Sequence, residues 1–174
     1  KQFFLNKGYL DVKTDQPAVT YNKIKDGYNV TFNVQQGIRY KTKSISIKGD
    51  LIEDENTLKN SLLLKEDDFF STGNLTKDIE KLNTIYGDQS YAFANISPNV
   101  VKTDGNKVVV DYVIEKGEKY KVNLISISGN TRTRDKVIRR QILVNENDDY
   151  SSTKIKSSKS RINRRGFFET VEVS

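Results

Sequence analysis

At 174 residues, with 35% hydrophobic and 30% charged side chains, the chain has the length of one domain or two small ones and the composition of a soluble fold. Cys, His, Met and Trp are all absent, which removes thiolate nucleophiles, imidazole bases, the commonest zinc ligands and disulfides together, so no catalytic residue, metal site or cofactor is expected. The net charge of +6 is uneven: residues 1–118 carry 16 Lys/Arg against 17 Asp/Glu, and residues 119–174 carry 13 against 6.

Lys1-Gln2-Phe3-Phe4-Leu5 reads as the end of an amphipathic helix, so Lys1 is not expected to be the biological first residue. Residues 18–36 read as a hairpin, with Val30, Phe32 and Val34 alternating along its second strand. Beyond the short linker Gly37-Ile38-Arg39, Ile45 and Ile47 alternate with Ser44, Ser46 and Lys48, the period of a strand with one buried face, ended by Gly49-Asp50. Residues 53–64, with acids crowding the start and Leu58, Leu62 and Leu63 following, predict a first helix. Glu66-Asp67-Asp68 reads as solvated loop charge. Phe70-Ser71-Thr72-Gly73-Asn74 leads into a second helix in which Leu75, Ile79, Leu82 and Ile85-Tyr86 keep helical spacing. Two strands follow, residues 94–102 with Pro98 inside and residues 107–115, joined at the hairpin signal Asp104-Gly105-Asn106.

The pattern then returns after 80 residues. Gly37 and Tyr40 recur as Gly117 and Tyr120, Ile45-Ser46-Ile47-Lys48-Gly49-Asp50 as Ile125-Ser126-Ile127-Ser128-Gly129-Asn130, and Asp68, Phe70 and Ser71 as Asp148, Tyr150 and Ser151. The chain is therefore a tandem array of small α+β modules, each strand-helix-helix-strand-strand, with a three-stranded mixed sheet covered on one face by two helices. Residues 38–117 form a full copy. Residues 1–37 are the C-terminal part of another, and residues 118–174 hold a first strand, both helices and one further strand, lacking the last.

Ile127-Ser128-Gly129-Asn130-Thr131-Arg132-Thr133-Arg134-Asp135, Val137-Ile138-Arg139-Arg140 and Arg164-Arg165-Gly166-Phe167-Phe168-Glu169-Thr170-Val171 stand at a characteristic spacing. With this architecture, the chain resembles the POTRA repeats of BamA-type outer-membrane assembly proteins. Lys7-Gly8-Tyr9 is similar to the end of the third of five repeats, so the chain would hold the end of the third, the fourth and most of the fifth. Each signature also has a structural reading: Gly129-Asn130 as a turn, Gly166 as a helix C-cap, and Phe167 and Phe168 as anchors. The middle copy departs from the pattern, with Ser90-Tyr91-Ala92-Phe93 where its neighbours have Gly8-Tyr9 and Gly166-Phe167, so its helix end is expected to be built differently.

The resemblance implies a non-catalytic scaffold on the periplasmic face of the outer membrane of a Gram-negative bacterium, binding a BamD-like accessory lipoprotein and unfolded outer-membrane protein clients. The strand after the second helix is expected at a sheet edge, where Asn95, Ile96, Ser97, Asn99, Val100 and Val101 offer backbone groups to an extended client. Pro98 suits an edge, either for this purpose or simply to prevent aggregation. By resemblance, Glu146 matches an acidic position used towards the lipoprotein, although its neighbours Asn145 and Asn147 depart from the enterobacterial pattern. Arg161, Arg164 and Arg165 form either a solvated helix face or a surface for anionic headgroups or a partner. POTRA regions of TamA or two-partner secretion type are related alternatives. The basic tail leaves a nucleic-acid-binding module as a rival, but no nucleic acid is expected because no recognition motif is present. A copy lacking its final strand could also pair with residues 18–36 of another molecule in a swap-like association.

Overall fold

The computed structural model describes residues 1–166 and 168–173, so Phe167, one of the two expected anchors, lies outside the described residues. The first copy begins with Gln2–Leu5 (α1), one helical turn closed by the left-handed Gly8 (φ +93°). Lys13–Thr14 (β1) pairs antiparallel with Val34–Gln35 (β4), and Ala18–Asn22 (β2) with Gly27–Thr31 (β3). The Asn22 side chain accepts the N–H groups of Ile24 and Lys25 and so folds the hairpin turn.

The middle copy runs Lys41–Gly49 (β5), Glu55–Ser61 (α2), Thr72–Asp88 (α3), Asn95–Thr103 (β6) and Lys107–Glu115 (β7). Its strands form a mixed three-stranded sheet in the order β5-β7-β6, packed with helices. The last strand in sequence is thus central, and its Val108, Val110, Tyr112 and Ile114 are all buried. Helix α2 is shorter than the expected 53–64. Its end turns early because the N–H groups of Leu63 and Leu64 leave the helical ladder for the carboxyl of Asp78, at 2.5 and 3.0 Å. Asp78 also accepts from the Tyr112 hydroxyl at 3.1 Å. A fully buried acid in α3 thereby fixes both the loop after α2 and the central strand, satisfying groups that would be costly to bury alone. Burial first, and Asp78 second, raise the Tyr112 phenol above its ordinary pKa.

The third copy contains Asp135–Arg139 (α4) and Ser152–Asn163 (α5). Among the described residues its expected strands do not form. Residues 122–130 are neither helix nor strand, a bridge joins Lys121 to Asp149, and residues 168–173 join no sheet. In the middle copy the first and second strands both pair with the last, which is the central strand. A strand without a ladder partner has nowhere to place its backbone hydrogen bonds.

The chain packs as two compact units, residues 1–47, 55–79 and 98–112 in one, and residues 48–54, 80–97 and 113–174 in the other. Each is centred on a joint between successive copies. In the first unit the Gly8 carbonyl accepts the Tyr40 N–H at 2.8 Å. The Asn6 side chain accepts the Gly73 N–H at 2.9 Å and the Thr72 hydroxyl at 2.8 Å, capping α3 from the preceding copy. Arg39 lies 3.3 Å from the Phe69 ring centroid and donates from Nε to the Lys7 carbonyl at 2.6 Å. Asp11 accepts from the Tyr40 hydroxyl at 2.8 Å and from Lys102.

In the second unit the Ser90 carbonyl accepts the Tyr120 N–H at 2.9 Å. Asp88 accepts the Thr153 N–H and the Ser151 hydroxyl, each at 2.8 Å, and so caps α5. Ser90 is left-handed (φ +75°), as Gly8 and Gly166 are, so the expectation of a differently built helix end is corrected. Serine occupies the glycine conformation because its carbonyl is held by the next copy. Gly87 serves another purpose: a Cβ there would lie 2.3 Å from Ser152 Oγ, so its smallness permits close approach.

Candidate interaction surfaces

The strand order leaves two edges in the middle sheet, and they differ. On β5 the Ile45 N–H is bonded by Glu66 Oε1 at 3.0 Å and the Ile47 N–H by Glu55 Oε1 at 3.2 Å. Thr42 exchanges backbone bonds with Asp68 and Asp67, both at 2.8 Å. The acids 66–68, read from the sequence as solvated loop charge, therefore help close this edge. Among the described residues no side chain caps the outer backbone of β6. There Ile96 is buried and Val100 half-buried, anchoring the strand, while Asn95, Ser97, Pro98, Asn99 and Val101 are exposed. The six residues expected to form a pairing edge therefore lie together on an edge strand, with Pro98 withholding one donor at its middle.

Glu146 lies at the third copy's counterpart of Glu66 and makes the same bond: its Oε1 accepts the Ile125 N–H at 3.1 Å. Arg139 Nη2 donates to the carbonyl of the same Ile125 at 3.0 Å. The two side chains bracket one residue's backbone and line a cleft of about 420 Å³ with Ile142, Val144, Asn145 and Asn147. Arg139 was not among the site residues expected from the sequence. The repeat gave no signal for it, because the counterpart of Arg139 is Lys59, which pairs with Glu55 instead. Arg161, Arg164 and Arg165 come together with Gln141 around a second cleft of about 300 Å³.

The POTRA profile, surface antigen variable number repeat, matches residues 40–117 and 120–174. The chain belongs to the POTRA family. It is 33% identical over 175 residues to the outer membrane protein assembly factor BamA of Nitratidesulfovibrio vulgaris, covering 98% of this chain and 22% of that protein. To BamA of Neisseria meningitidis it is 31% identical over 173 residues, covering 98% and 22%. The POTRA chain thus spans about a fifth of the length of these relatives. Among solved structures, it superposes on the crystal structure of Haemophilus influenzae BamA POTRA3-5 with a TM-score of 0.84 at 28% identity, covering 98% of this chain and 68% of that one. A second match is BamA of Haemophilus ducreyi lacking POTRA domains 1-3, with a TM-score of 0.64 at 28% identity, covering 78% and 26%. POTRA modules are a non-enzymatic family. Among the described residues no helix is long and apolar enough to cross a membrane.

Proposed function

We propose that this chain is a periplasmic POTRA region of a BamA-type outer-membrane protein assembly factor, and that its middle copy receives extended client segments by strand addition along β6. The similarity to BamA over almost the whole chain supports the first part. One observation carries the second: of the two sheet edges, β5 is closed by Glu55 and Glu66 while β6 is left uncapped. An extended client gains main-chain hydrogen bonds there without displacing any internal partner. Glu146 and Arg139 supply an opposite-sign pair on the third copy that suits a BamD-like lipoprotein surface.

The test is amide-resolved NMR of the 174-residue chain, titrated with a peptide from the final strand of an outer-membrane barrel protein. Shifts should concentrate on Asn95–Thr103, and moving Pro98 to Ala should strengthen binding by restoring a donor. Shifts centred on β5, or none at saturating peptide, would overturn strand addition at β6. For the lipoprotein surface, Glu146→Gln should weaken binding of a BamD-like lipoprotein about tenfold, as loss of a charged interfacial contact does.

A further inference from the structure

The second cleft has a composition that neither strand addition nor helix stability accounts for. Arg161 lies in the last turn of α5, and Arg164, its C-cap, and Arg165 follow directly after Asn163, so the three line one cleft together. Ile162, between the first two, is buried and pins that turn to the body of the unit. Arg165 Nη2 donates to Gln141 Oε1 at 3.3 Å, so Gln141 orients one guanidinium without neutralising it. Some exposed cations elsewhere in the chain do pair with acids, as in Lys59–Glu55 at 2.9 Å and Lys121–Asp149 at 3.8 Å. Among the described residues no carboxylate forms an ion pair with these three arginines. The helix dipole favours cations at a C-terminus, but it attracts any basic side chain and does not require three to converge on one cleft of about 300 Å³. Three like charges in one cleft repel, and an anion placed between them removes that repulsion.

We propose that Arg161, Arg164, Arg165 and Gln141 form a binding site for a phosphomonoester group. Guanidinium forks match phosphate oxygens two at a time, and a dianion with three acceptor oxygens can engage three forks where a carboxylate offers two oxygens and one charge. The Gln141 amide N–H₂ is left to donate as well. The site is independent of the β6 edge, so either reading can fail alone.

The experiment uses the 174-residue chain and its Arg161→Gln/Arg164→Gln double variant, with Lys23→Gln, a turn residue of the β2–β3 hairpin, as control. Calorimetric titration with inorganic phosphate and with acetate at low salt reads the headgroup chemistry. Flotation with phosphatidylcholine vesicles containing phosphatidic acid, against vesicles of equal charge made with phosphatidylserine, reads the source. Phosphate should bind more tightly than acetate, and the double variant should lose about tenfold or more in affinity, the loss expected from removing charge-assisted hydrogen bonds. The control should bind like the parent. Preference for phosphatidic acid vesicles that disappears in the double variant would assign a lipid headgroup, and phosphate binding without vesicle capture would assign a soluble phosphomonoester. Equal binding of acetate and phosphate, or unchanged phosphate binding by the double variant, would overturn the proposal. All substitutions lie on exposed side chains, and the amide spectrum away from α5 should remain that of the parent.

Discussion

The middle and third copies carry the same pattern 80 residues apart, yet among the described residues one builds a sheet and the other does not. What survives in the third copy is local. Ser151 accepts the Lys154 N–H at 3.3 Å as Ser71 accepts that of Asn74 at 3.3 Å. Glu146 holds Ile125 as Glu66 holds Ile45. Ser158, the counterpart of Asp78, takes the Leu143 N–H at 2.8 Å in place of the pair of N–H groups that Asp78 accepts. What the described residues of the third copy do not show is the ladder, which in the middle copy joins β5 to β7, a strand far along the chain. Caps and loop anchors are thus written into short segments, whereas strand formation belongs to the sheet as a whole.

The sharpest break in that comparison should come from Asp78. Asp78→Ala strands two amide donors and the Tyr112 hydroxyl, all served by one acid, and should cost about 3 kcal/mol, whereas Ser158→Ala, which strands one, should cost about 1 kcal/mol. Urea unfolding with amide exchange of Leu63 and Leu143 reads both losses. Equal costs would show that the central strand adds nothing to this anchor.

Gly49 and Gly129 come next. Both have positive φ, +99° and +80°, but a Cβ at Gly49 would lie 2.2 Å from the Ile114 carbonyl, while none lies within 4 Å at Gly129. Gly49→Ala should therefore cost about 2–3 kcal/mol by combining strain with a backbone clash, and Gly129→Ala about 1 kcal/mol by strain alone. Thermal melts of the two variants test the difference.

The joints give a smaller effect. Asp88→Ala and Asn6→Ala should each cost about 1 kcal/mol, read as faster exchange of the Thr153 and Gly73 amides. Partial burial raises the Asp88 pKa, but hydrogen bonds from Thr153 and Ser151 and the charge of Lys156 outweigh it and bring the carboxyl below its ordinary 3.8. A depressed folded pKa means that this stabilisation is complete above the ordinary value and is lost as pH falls through the lower, folded one. Thr153 protection should therefore drop below about pH 4, and Asp88→Asn should remove most of that dependence. Asp11 titrates similarly in the other joint, where Lys102 and then Tyr40 lower its pKa. Its own pH response persists in the Asp88 variant.

Smallest of all is Thr42→Val. The Thr42 hydroxyl is buried with no hydrogen-bond partner among the described residues, and the third copy has Val122 at that place. The substitution should stabilise by up to about 1 kcal/mol in urea unfolding, since it removes an unsatisfied polar atom at nearly constant volume.

Much of this fold was legible because the repeat turned one uncertain pattern into two readings of it. Residues 107–115 alternate cleanly and became β7, and the hairpin signal at Asp104-Gly105-Asn106 joined it to β6 as expected. The edge position of β6 followed from the order of elements. The short α2 did not, because Asp78 lies far along the chain from the amides it captures and nothing in its local spacing marks it as buried. Ser90 misled for a related reason: a left-handed serine is held by a backbone bond from Tyr120, a partner in the next copy. Of the site, Arg161, Arg164 and Arg165 line one cleft with Gln141, while Arg139 required knowing that its guanidinium reaches the Ile125 carbonyl.

The caps supplied by Asn6 and Asp88 have a consequence for how such arrays can be recombined. A helix whose first amides are served by its predecessor is an incomplete inheritance: moved to a new neighbour, α3 or α5 leaves part of its own terminus behind. The seam at which foreign repeats can be spliced therefore falls inside the second helix, beyond its borrowed first turn, and not in the linkers Gly37-Ile38-Arg39 or Gly117-Glu118-Lys119, where the sequence period would place the cut.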